Sequence, residues 1–162
     1  MMMAVLAWVV AIPLLGIGTG LRTFTPMAVL CWFAWLGYLQ LDGTWMMWAT
    51  KLVTVIVLTL LAAGEIYLDK RKGVPDRVAP VPLLARLIVG GLVGGTVALG
   101  LNGSGAEGAG LGVGCALVGA FGGYLIRREI VERVGGKDWP IAFAEDVIAI
   151  GFAVVAMGIV TG

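Results

Sequence analysis

Apolar runs at about 3–20, 46–68, 81–101, 108–126 and 140–161, separated by short polar turns, fix the solvent in which this chain can fold. Each is close to the roughly 20 residues with which a helix crosses a hydrocarbon core. A sixth, shorter run occupies 25–40. Composition agrees, since mean hydropathy is +1.01 and only 13% of residues are charged, against roughly 25% in a soluble domain. The expected fold is therefore all-α: a polytopic transmembrane helical bundle of about six segments. Every loop is short, so residues 1–162 are expected to form a single integral-membrane domain.

The stretch 3–41 is too long for one helix, and GIGTGLRTFTP at 16–26 interrupts it with three glycines, an arginine and a proline. A broken or re-entrant helical hairpin is the natural outcome. Its second arm either spans a thin region or re-enters. The first run lacks the basic n-region and cleavage site of a secretory signal, so it is read as a permanent span.

Basic residues assign the orientation. With six segments, Arg22, the turn carrying Lys70, Arg71, Lys72 and Arg77, the following Arg86, and the turn carrying Arg127, Arg128, Arg133 and Lys137 all fall on one side. Lys51 is left alone on the other. The positive-inside rule makes the basic face cytoplasmic, with both termini outside. Trp8, Trp45 and Trp48 then suit the outer interfacial belt. A three-plus-three division, about 1–72 and 80–162, suggests an inverted repeat of the kind that builds transporters around a central site. Strict inversion, however, would send the acid pairs of the two halves to opposite ends, whereas both are placed toward the cytoplasm.

Several function classes are excluded or weakened. No histidine is present, which removes histidine acid–base catalysis, Ser-His triads and histidine metal ligands. Cys31 and Cys115 lie in apolar stretches without CxxC spacing and read as packing residues. A net charge of +1 offers no basic surface for nucleic acid. No cofactor is expected, and an enzymatic role is disfavoured. Gly90, Gly91, Gly94 and Gly95, with Gly108, Gly110, Gly112, Gly114, Gly119, Gly122 and Gly123 on the next run, fit close helix packing; the alternatives are exposed backbone for a permeating solute, or easily bent helices.

The acids carry the functional argument. Glu65 and Asp69 are one helical turn apart near the end of one run; Glu145 and Asp146 lie one to two turns inside another. Arg22 and Arg86 reach the same layer. An ionisable group at membrane depth usually faces the bundle interior, water or an opposite charge. Arg22, Glu65, Asp69, Arg86, Glu145 and Asp146 therefore form the candidate site for a small solute, ion or lipid head group, with Thr19, Gly20 and Thr23 as a candidate anion nest at the break. The competing reading makes the ion pairs helix clamps and leaves the freed polar groups to satisfy the broken helix. A divalent cation on the carboxylates is a further alternative, which the arginines weaken.

GLRTFTP at 20–26, GEIYLDK at 64–70 and AEDVIAI at 144–150 together resemble an uncharacterised family of small bacterial integral-membrane proteins, a domain of unknown function. The likeness runs from about residue 10 to 160. It implies the same architecture and residues and names no substrate. The expected function is transport or channel-like movement of a small solute, ion or lipid head group, with the lipid bilayer and a second copy of the chain as partners. The alternatives are a scaffold subunit of a membrane complex and a lipid-modifying enzyme using carboxylate-bound metal.

Overall fold

The computed structural model describes residues 7–69, 78–134 and 139–162, and the described residues are helical apart from their turns. A π-helical turn, Ala7–Ala11, leads into α1 (Ile12–Leu21), followed by α2 (Thr25–Trp35), a single 3-10 turn (Met47–Thr50), α3 (Leu52–Leu68), α4 (Pro80–Gly100), α5 (Gly105–Val134) and α6 (Trp139–Thr161). The expected basic residues Lys70, Arg71, Lys72, Arg77 and Lys137 lie outside the described residues.

Local chemistry accounts for the boundaries. Helix α1 stops where Pro26 would have to donate to the carbonyl of residue 22, which its ring nitrogen cannot do. Arg22 instead turns extended (φ −136°, ψ 116°), and Pro26 sits in the first turn of α2, where a missing N–H is harmless. Helix α2 ends in a Schellman motif. Gly37 takes φ +85°, its N–H meets the Ala34 carbonyl at 3.1 Å, and the Tyr38 N–H meets that of Phe33 at 3.0 Å. Helices α1 and α2 thus rise only about 15 Å each, half of a ~30 Å hydrocarbon core.

Two runs are shorter as helices than as apolar sequence. Residues after Trp35 do not continue the helix, and Met47–Thr50 form a 3-10 turn before α3 begins. The apolar side chains there, Leu39, Leu41 and Met46, are buried because the connection folds over the bundle end, where Leu39 and Leu41 pack at Gly100. Trp8 packs against Gly103 at that same end.

Helices α4, α5 and α6 are long and apolar enough to span a membrane. Helix α5 is the centre of the packing, with α4 on one side and α1 on another. A Cβ at Gly94 would collide with the Gly108 carbonyl oxygen, and one at Gly119 with that of Ile17. Only glycine lets these backbones approach so closely, replacing the hydrophobic drive that lipid removes. Gly110, Gly114 and Gly122 have open space at the Cβ position and take no part in these contacts. Helix α3 is peripheral, burying only Val55 and Ala62 while Val53, Leu60 and Leu61 face outward. Such apolar exposure would drive aggregation in water and is matched by lipid.

Candidate functional site

The helix ends at Leu21, Leu68 and the far part of α5, and the helix starts at Thr25, Pro80 and Trp139, meet at one end of the bundle. The break between α1 and α2 places Arg22 at their centre, only 1% exposed. Its Nη2 lies 2.9 Å from Oδ2 of Asp69, the C-cap of α3, and its Nε lies 2.5 Å from Asp146 Oδ1 on α6. Nη2 also donates to the Ala142 carbonyl at 3.3 Å. A planar guanidinium suits this arrangement because its fork reaches two carboxylates without bending.

Glu65 performs a different task. Its Oε1 accepts the Thr23 N–H at 2.8 Å and its Oε2 accepts the Phe24 N–H at 3.0 Å. These amides open α2 and have no intrahelical acceptor, and a negative charge there also complements the helix dipole. The amides freed by the break are thus satisfied by a carboxylate from α3, part of this same chain. Arg86, buried on α4, brings Nη2 to 4.0 Å from Glu65 Oε1. Of the nest candidates, Thr23 contributes its amide to Glu65. Thr19 instead donates its hydroxyl to the Leu15 carbonyl at 2.8 Å, and Gly20 faces α5, where a Cβ would collide with the Ala116 carbonyl oxygen.

Glu145 and Asp146 are consecutive, so they leave α6 about 100° apart. Asp146 turns inward to Arg22, and Glu145 turns toward α5. There its partner is Arg127, whose Nη1 lies 3.5 Å from Glu145 Oε2 and 3.3 Å from Asp69 Oδ2. The structure therefore brings Arg22, Glu65, Asp69, Arg86, Glu145 and Asp146 into one layer and adds Arg127.

Arg127 was hidden by its neighbourhood. Followed by Arg128, it reads as the start of a cytoplasmic turn, yet α5 continues to Val134. The available signal was periodicity: Gly112, Ala116, Gly119, Ala120 and Gly123 are the buried stripe of α5, and Arg127 lies on its next turn. Arg128 and Arg133 leave the helix elsewhere and pair with Glu132 and Glu129 on the exposed surface.

Among the described residues, the layer holds three guanidiniums and four carboxylates drawn from α3 to α6 and from the α1–α2 break. Among those residues, no three acids or thiols converge in a way that would hold a metal ion. The arrangement can exchange salt-bridge partners, accept a proton or admit a small charged group at a helix break. Beside it, a groove of about 440 Å³ opens between α1, α5 and α6, with Glu145 in its wall.

Long apolar helices, outward-facing apolar side chains and a charged layer confined to one bundle end define a polytopic helical membrane protein. The model of the domain of unknown function DUF4126 matches residues 6–159, and the chain belongs to that family. Comparison with curated proteins and with solved structures finds no match.

Proposed function

We propose that this chain is a transport protein for a small solute or ion, with the arginine–carboxylate layer as its site. The observation that carries this reading is Arg22, buried in the break between two half-length helices and held by carboxylates from α3 and α6. Helix ends at membrane depth direct their dipoles toward a common site, an arrangement that recurs in transporters built on broken helices, and here Glu65 holds the amides at the start of α2. Arg127 supports exchange of partners, because one of its nitrogens is shared between Asp69 and Glu145.

We place the layer on the cytoplasmic side of a bacterial inner membrane. Arg22, Arg86, Arg127, Arg128 and Arg133 lie toward one end of the bundle, and Lys51 precedes α3 at the other, which supports that orientation. A second copy of the chain could complete a pathway too large for one bundle.

The second reading is a structural clamp within a membrane complex. It is favoured by Glu65, whose carboxylate is engaged in capping α2. One experiment separates the two. Purified protein is reconstituted in liposomes containing a pH-sensitive dye, and proton movement is followed under an imposed potential and with opposing gradients of inorganic ions and organic solutes. Transport predicts a flux that Asp146→Asn abolishes while the protein stays folded; a scaffold shows no flux with any of them.

A further inference from the structure

We propose that the groove between α1, α5 and α6 holds one acyl chain of a phospholipid from the leaflet on the arginine side, with the phosphate of that lipid on Arg133. The site is separate from the charged layer and does not depend on the transport reading. Its origin is the short first helix. Helix α1 stops at Leu21 while α5 runs on to Val134, so beyond Leu21 the cleft between α5 and α6 has no continuation of α1 to fill it.

The dimensions select the occupant. On α5 the lining runs from Val118 to Ile130, and on α6, antiparallel to it, from Phe152 to Ile141. These stretches rise about 18 and 17 Å, close to the ~15 Å of hydrocarbon in one leaflet, and they follow the bundle axis as lipid chains do. Spread over that length, a volume of about 440 Å³ leaves a cross-section of about 24 Å², against about 80 Å² for a helix about 10 Å across. The space takes a single hydrocarbon chain, and a helix from a second copy does not enter it.

The chemistry agrees. The described lining is apolar apart from Glu145, whose carboxylate is engaged by Arg127, so the part of the occupant inside the groove is hydrocarbon. Val118, Ile130 and Ile148 on the rim are exposed, which opens the groove on the surface that the apolar helices present to lipid. Lipid tails are as apolar as these walls, so hydrophobicity alone does not retain one chain. Contact with three helices does, since empty walls forfeit their dispersion partners, together with a charge at the mouth. Arg133 stands three residues beyond Ile130 on the same face of α5. Its Nε and Nη2 both meet Glu129 Oε1, at 2.6 Å. An exposed pair of this kind is weak, and a guanidinium has five donors, which leaves Arg133 able to take a phosphate at the head-group level.

Native mass spectrometry of the full chain, stripped of lipid in neutral detergent and titrated with palmitoyl-oleoyl phosphatidylglycerol, tests the inference. The wild type should retain one lipid per chain under activation that removes the rest. Gly122→Leu should weaken retention about tenfold or more by filling the groove, since its Cβ position is free of neighbours. Gly110→Leu, equally open but away from the groove, should retain lipid as the wild type does. Arg133→Gln should weaken retention severalfold. Dihexanoyl phosphatidylglycerol, with the same head group and chains too short to fill the groove, should be lost.

No retained lipid on the wild type, undiminished retention in Gly122→Leu or in Arg133→Gln, or equal retention of the short-chain lipid would overturn the proposal. So would retention of palmitate in preference to the phospholipid, which would make the occupant a free fatty acid. Should Gly122→Leu not fold, Arg133→Gln and the comparison of chain lengths decide.

Discussion

Arg22 Nε lies 2.5 Å from Asp146 Oδ1, a contact that joins the α1–α2 break to the first turns of the last helix with both residues buried. Removing one partner of a buried pair leaves an uncompensated charge, at about 3–5 kcal/mol. Arg22→Ala should therefore lower the apparent Tm in detergent sharply, because Asp69 loses the same guanidinium. Asp146→Asn should cost less, since Arg22 keeps Asp69. The double variant should be more stable than the sum of the two losses predicts, as expected for groups in direct contact. Additive losses would show that the pair does not act as a unit.

The Glu65 cap makes a separate prediction. Glu65→Ala leaves the Thr23 and Phe24 amides without an acceptor, at about 1–3 kcal/mol each. Glu65→Gln retains one carbonyl oxygen and should lose roughly half as much. Deuterium exchange followed by mass spectrometry should show faster labelling of the peptide covering 22–28 in the alanine variant, with the glutamine variant between it and wild type. Unchanged exchange in Glu65→Ala would mean that the amides are satisfied in some other way.

These two contacts show what the sequence could and could not disclose. Charged residues in apolar runs are conspicuous, so Arg22, Glu65, Asp69, Arg86, Glu145 and Asp146 stood out, and Pro26 announced the break. The pairing was not legible. Nothing near Glu65 in sequence indicates that its carboxylate meets amides at 23 and 24, because that contact exists only once α2 and α3 lie side by side. Arg127 was masked by Arg128, and a stripe of glycines and alanines was the only indication that α5 continues inward-facing. Leu39, Leu41 and Met46 gave the opposite difficulty. Their hydrophobicity reads as membrane span, yet it serves to close one end of the bundle.

Helix packing supplies a paired test. A methyl group at Gly94 would be driven against the Gly108 carbonyl, whereas one at Gly114 meets nothing within 4 Å. Gly94→Ala should destabilise the protein by about 1–3 kcal/mol through overpacking. Gly114→Ala should leave stability unchanged or raise it by up to about 1 kcal/mol, the usual helix gain over glycine. Thermal unfolding of the two variants side by side gives the comparison. Equal effects would mean that the α4–α5 approach is not what the glycines serve.

Orientation in the membrane can be read by labelling, because the turn between α4 and α5 and the end of α5 lie at opposite ends of a helix of 30 residues. Ser104 and Glu132 are both exposed, so a cysteine at either will react wherever reagent reaches it. The background needs Cys31→Ala and Cys115→Ala, the two native thiols. With the arginine layer cytoplasmic, a membrane-impermeant maleimide applied to intact spheroplasts should label Ser104→Cys and spare Glu132→Cys until the membrane is opened. The physical basis is the excess of arginine at the Glu132 end, which resists translocation. Labelling of Glu132→Cys alone would place Arg22, Arg127 and their carboxylates on the outer side, and the site would then meet its ligand from outside the cell.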